Sequence, residues 1–156
     1  GMLRTRRAGF SLIELVIVIA ILGILAAVAV PRMSRGAAGA TSSRLRADLA
    51  TMRSALELYY VEHNNTYPSV ANFEDALVNQ YTDVDGNLNA TKTGVFIYGP
   101  YLKEIPTIQV GPRKGSNGEA AADAVGVAWL YDDTTGTITP NTDTATDDAG
   151  VLYSTY

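Results

Sequence analysis

Residues 10–31 read FSLIELVIVIAILGILAAVAVP, and no polar side chain occurs between Leu15 and Val30. A helix needs about 20 apolar residues to cross a bilayer, which this run supplies. The short segment before it carries Arg4, Arg6 and Arg7. By the positive-inside rule, those arginines put the N-terminus in the cytoplasm and the bulk of the chain outside. Two features set the run apart from a plain anchor. Glu14 places a carboxylate inside it, at a cost of roughly 2.5–3.5 kcal/mol at mid-helix and less near an end, so Glu14 is a candidate functional residue. The boundary Gly9-Phe10-Ser11 stands before the run, whereas the cleavage site of a secretory signal follows its apolar region. Three readings of the segment compete: a cleavable secretory signal ending near Ala27-Val28-Ala29, an ordinary single-pass anchor, and an anchor with a task for Glu14.

The rest of the composition narrows the function. The chain has 156 residues, no cysteine and a single histidine, His63. Disulfides, thiolate metal sites and multi-histidine sites are therefore excluded. Residues 1–53 hold eight arginines against two acids, and residues 54–156 hold four basic residues against fourteen acids. The acidic part speaks against nucleic acid as a partner, since phosphate binding needs a basic footprint. The chain has no Walker loop, no H-E-x-x-H and no G-x-S-x-G, so an enzyme would need an unfamiliar site.

The string Gly9-Phe10-Ser11-Leu12-Ile13-Glu14-Leu15 resembles the class III signal of type IV prepilins and type II secretion pseudopilins. In that family a basic leader, Gly then Phe, and Glu at the fifth mature position lead into an apolar helix. The resemblance implies cleavage by a prepilin peptidase after Gly9 and N-methylation of Phe10. It implies that Glu14 pairs with the N-terminal ammonium of a neighbouring subunit. Gly23 and Pro31 match positions bracketing a stretch that unwinds in assembled filaments. Elementary physics supports the same positions: Pro31 lacks an N–H and clashes with the preceding turn, and Gly23 adds backbone freedom. Gly23 also suits close helix packing in lipid.

Beyond Pro31, apolar residues recur at Leu45, Leu49, Met52, Leu56, Tyr59 and His63, with spacings of 4, 3, 4, 3 and 4. That is one stripe of a helix. Residues 10–63 thus read as one nearly continuous helix of about 80 Å. Its first half is apolar all round, and its second half packs on a head. At the helix end, His63 is expected to pack or to cap the helix dipole, not to catalyse. Asn64–Ser69 stops the helix. Ser69 is expected to cap a short helix over residues 71–80. Val125–Tyr131 and Thr137–Thr139 read as a hairpin about Asp132–Gly136, with Trp129 and Tyr131 on one strand face. Residues 111–118 read as a loop, and residues 142–150 as loose chain.

Gly99-Pro100-Tyr101-Leu102 and the order Trp129, Tyr131, Gly136, Ile138, Asn141 resemble the corresponding segments of major pseudopilins of type II secretion. The expected fold is therefore α+β and pilin-like. A long N-terminal α-helix, transmembrane in its first half, packs on a small antiparallel β-sheet head. The parts are a leader over residues 1–9, a transmembrane and assembly helix over 10–31, and an amphipathic helix with globular head over 32–156. The resemblance implies a non-enzymatic subunit of a type II secretion pseudopilus. A type IV pilus major pilin and a secreted or anchored enzyme are the alternatives. Implied partners are copies of itself, the prepilin peptidase, an inner-membrane assembly platform, minor pseudopilins and membrane lipid. The implied location is the bacterial inner membrane as a single pass, with the head periplasmic, then a periplasmic filament, or the cell surface for a type IV pilin.

Calcium is the one cofactor the resemblance raises, in loops near the C-terminal strands. The candidate ligands are Asp83, Asp85 and Asn87 in one loop and Asp143, Asp147 and Asp148 in another. The first set alternates as calcium ligands do. Its Gly86 is misplaced for an EF-hand, and the glutamate that would end such a loop is missing. For both sets a solvated turn is the competing reading.

Overall fold

The computed structural model describes residues 9–156, without the side chains of residues 28–38. The leader residues before Gly9, and the side chains of Pro31, Arg32 and Arg35, lie outside the described residues. One helix, α1, spans Leu12–Glu62. The chain divides into two units between Ala37 and Ala38.

In the first unit, every described side chain of α1 from Leu12 to Ala27 is exposed. Among the described residues, nothing covers its aliphatic side chains. Among the described residues no helix is long and apolar enough to cross a membrane. The described side chains of the expected span stop at Ala27, so its last residues are not covered by that statement.

In the second unit the same helix has one buried face. Leu45, Leu49, Met52, Leu56, Tyr59 and His63, the whole expected stripe, are buried, and Ser42 and Ala55 join them. Opposite them lie Phe73, Leu77, Ile108, Trp129, Tyr131 and Ile138. α1 ends where Asn64 and Asn65 turn to φ 52° and 59°. Asparagine tolerates that left-handed region better than most residues. The Asn65 N–H donates back to the Tyr60 carbonyl at 3.0 Å.

The short helix expected over residues 71–80 is instead two fragments. Val70–Asn72 is a 3-10 turn, and Asp75–Asn79 is a π-type turn. Ser69 makes no side-chain cap. The Val70 N–H is met instead by Asp133 Oδ2 at 3.1 Å, from the distant hairpin turn. An acceptor brought in by the tertiary fold has replaced the local one.

Two short strands, β1 (Tyr81–Thr82) and β2 (Leu88–Asn89), pair antiparallel around the loop Asp83–Asn87. A second sheet has the order β3 (Gly118–Ala120), β4 (Val127–Asp132), β5 (Thr137–Pro140). β4 and β5 form the expected hairpin, with Tyr131 opposite Ile138. Trp129 and Tyr131 both enter the core, where Trp129 Nε1 donates to the Pro106 carbonyl and the Tyr131 hydroxyl to that of Pro68, each at 2.8 Å. β3 starts at Gly118, the last residue of the expected loop, and runs through residues for which no strand was expected; it pairs parallel with β4. The sheet is therefore mixed where an antiparallel one was expected. A parallel partner usually needs a long crossover. Here β3 is three residues long, about 10 Å, so the return through Ala121–Gly126 suffices.

The segment after β5 is ordered, against the expectation of loose chain. Thr146 pairs with Leu152, and a 3-10 turn covers Tyr153–Thr155. Tyr153 is buried, with its hydroxyl 3.1 Å from Ser42 Oγ on α1.

Candidate functional site

The sequence singled out the start of α1, and the structure gives that end a definite local geometry. Gly9 and Phe10 are exposed and non-helical, with Phe10 78% exposed. A peptidase reaching this bond would meet no covering structure among the described residues. Ser11 stands at the N-cap. Its carbonyl accepts the N–H groups of Glu14 and Leu15 at 3.1 and 3.3 Å. Glu14 Oε2 in return accepts the Ser11 N–H at 2.8 Å. This is the reciprocal half of a capping box, for which S-x-x-E is the sequence signature. Ser11 and Glu14 carry that signature, so this role is legible in the sequence as well. Negative charge at this end also suits the helix dipole. In the single chain, then, the carboxylate in the apolar run already has a partner, and its neighbour Phe10 is free of structure.

The two positions expected to loosen α1 differ in what is described. Gly23 is exposed, and a Cβ added there would meet nothing within 4 Å. Among the described residues its missing side chain thus serves no contact. The side chain of Pro31 lies outside the described residues, and helical backbone continues through both positions.

His63 proves to be a core residue. It is 2% exposed and stacks on the Tyr59 ring, centroids 3.6 Å apart. Nδ1 lies 2.7 Å from the Tyr59 carbonyl and Nε2 2.8 Å from Thr82 Oγ1. A carbonyl only accepts, so Nδ1 carries the proton and Nε2 accepts the threonine hydroxyl. Burial pushes the imidazole below its ordinary range, against the smaller upward pull of the Tyr59 carbonyl, Glu62 and Asp83. Of the two expected roles, packing holds and the dipole cap does not: the ring joins β1 to the end of α1. Both nitrogens are occupied, which leaves none to act as a base.

The calcium candidates do not gather. Asp83 Oδ1 accepts the N–H groups of Asp85 and Asn87, and Oδ2 accepts the Asn87 amide. The Asn87 amide is the chief reason its carboxyl is held below the usual range. Asp85, Asn87, Asp143 and Asp148 are exposed. Asp147 is engaged by Tyr156, by loop N–H groups and by Arg46. Among the described residues, no three acidic or histidine side chains are placed to share an ion.

Comparison with known proteins gives a consistent picture. A family model described as the prokaryotic N-terminal methylation motif matches residues 4–30. The type II secretion system core protein G of Aeromonas hydrophila is 34% identical over 105 residues, covering 67% of this chain and 68% of that protein. The protein of the same name from Pseudomonas aeruginosa is 35% identical over 105 residues, 67% of this chain and 69% of its own. That of Vibrio cholerae is 29% identical over 101 residues, 65% and 64%. No solved structure matches.

Proposed function

The chain belongs to the family of the type II secretion system core protein G, structural subunits of the pseudopilus, and we propose that it assembles through Phe10 and Glu14. Its role is structural and not enzymatic, and it belongs to the inner membrane and periplasm as a self-assembling subunit. In our reading, the prepilin peptidase cuts after Gly9 and methylates Phe10. The leader stays cytoplasmic, α1 crosses once, and the head lies in the periplasm. An assembly platform then draws the subunit into a filament that minor pseudopilins complete.

The observation that carries this reading is the bare first part of α1. Its aliphatic side chains are about half to four-fifths exposed in the single chain, for example Val18 at 47% and Leu12 at 80%. Burying each such side chain is worth about 1.5–3 kcal/mol relative to water, so the segment does not stay in water. Lipid supplies that cover as well as sibling helices do, because lipid tails are as apolar as leucine. Apolar contact therefore decides that α1 leaves water but does not decide between lipid and filament. A charge pair does. The ammonium created on Phe10 and the carboxylate of Glu14 are costly apart in an apolar bundle and satisfied together.

Mass spectrometry of the chain recovered from membranes tests the first step. The expected N-terminus is methylated Phe10. A mature chain starting at Val30, or one retaining residues 1–9, overturns the reading.

A further inference from the structure

The family resemblance raised calcium in the loops around the C-terminal strands, and the donor chemistry there does not fit the ion. Calcium takes about six to eight oxygen ligands at roughly 2.3–2.6 Å. In the loop after β5 the one inward carboxylate is Asp147, whose side chain is 9% exposed. Its Oδ1 accepts the N–H groups of Ala149 and Val151, both at 2.9 Å. Its Oδ2 accepts the Tyr156 hydroxyl and lies 3.4 Å from Arg46 Nη2. A carboxylate offers about four acceptor directions, and those donors occupy them.

The positive charge at this place comes from α1. Arg46 also donates to the Tyr156 hydroxyl at 2.8 Å and lies 4.3 Å over its ring. Arg53, two turns further on, donates to the Ile138 carbonyl at 3.0 Å and the Tyr156 carbonyl at 2.8 Å. A carboxylate and two main-chain carbonyls are the oxygens calcium prefers, and here guanidinium groups hold them. A dication entering beside Asp147 would have to displace Arg46 against its charge.

We propose that Arg46 and Arg53 take the place of a calcium ion in this head, tying the segment after β5 to α1, so that the fold is calcium-independent. The two arginines contribute unequally. Arg46 is 58% exposed, and an exposed ion pair is worth little. Arg53 is half-buried, and its loss leaves two carbonyls without their donor. The inference rests on the head alone and stands whether or not Glu14 directs assembly.

The test uses the full chain in detergent micelles, unfolded by heat and followed by Trp129 fluorescence. Midpoints in EGTA and in about 1 mM calcium chloride should agree within ~1 °C, whereas a site saturated a hundredfold would raise the midpoint by about 5 °C or more. Such a rise overturns the proposal. Arg53→Gln in EGTA should lower the midpoint by ~4 °C or more. Arg46→Gln, at an exposed position that the fold tolerates, should speed limited proteolysis within residues 142–152 several-fold. Cleavage there at the wild-type rate in Arg46→Gln, in either condition, also overturns it.

Discussion

Two parts of α1 treat the same kinds of side chain in opposite ways. From Leu12 to Ala27 the aliphatic residues cover every face of the helix, and all are exposed. From Leu45 to Tyr59 the larger ones, Leu58 apart, keep to one stripe, and that stripe is buried against β4, β5 and the turns before β1. The difference lies in pattern more than in hydrophobicity. A stripe lets a helix satisfy itself within its own chain, because the polar face remains wet. An all-round apolar surface has no such solution, so it must be satisfied by something else, lipid or other helices. The single carboxylate in that surface, Glu14, then becomes a group able to tell one apolar surrounding from another.

The largest effect expected from breaking this contrast is at Glu14. Removing one partner of a buried charge pair costs about 3–5 kcal/mol, and each ~1.4 kcal/mol is tenfold. Glu14→Ala should therefore cut filament assembly by two or more orders of magnitude, with cleavage at Gly9 and membrane residence intact. The capping box complicates the alanine variant, since losing a cap costs about 0.5–2 kcal/mol on its own. Glu14→Gln separates the two roles, because it keeps an acceptor for the Ser11 N–H and removes the charge. Filament counts by electron microscopy should be as low for Gln as for Ala. Wild-type filaments in Glu14→Gln would make the residue a cap and nothing more.

A smaller effect tests whether the two parts of α1 are energetically separate. Leu49 is 1% exposed and Leu22 is 58% exposed. Leu49→Ala should lower head stability by about 2–5 kcal/mol. Leu22→Ala should leave it within about 0.5 kcal/mol. Urea titration of the full chain in micelles, read through Trp129, compares them. A comparable loss from Leu22→Ala would mean that the head depends on the first part of α1.

How much of this the sequence discloses follows the same division between local and distant causes. α1, its buried stripe and the β4–β5 hairpin rest on periods of 3.6 and 2 within single segments, and they were legible. β3 was not, because Gly118, Glu119 and Ala120 carry no strand pattern, and their pairing with β4 is a tertiary event. The turns after Ser69 depend on Asp133, and the order after β5 depends on Ser42, Arg46 and Arg53 on α1. At the candidate site, Glu14 was legible twice over, as a charge in an apolar run and as the last letter of S-x-x-E. The neutral state of His63 was hidden, because it follows from burial beneath Thr82, a residue of another element.

That histidine supplies the smallest and most specific test of the head. Its imidazole is held below the ordinary value of 6.5, chiefly by burial. Below about pH 6.5 the unfolded chain therefore takes up a proton that the folded chain refuses. The contribution of His63 is complete above that pH, declines as the pH falls towards the folded value, and stays level below it. The decline is at most about 1.4 kcal/mol per pH unit for one proton. Asp83 and Asp147 act in a lower window: their carboxyls are held below the usual range, so their stabilisation is present above about pH 4 and is lost as pH falls further. The two windows separate in one experiment. Between pH 6.5 and 5, the urea stability of the wild type should fall more steeply than that of His63→Gln, which can hydrogen-bond but cannot titrate. Below the folded value of His63 the two curves should run parallel. Parallel curves across the upper window would mean that His63 accepts its proton within the fold, with the Tyr59 carbonyl, Glu62 and Asp83 outweighing burial.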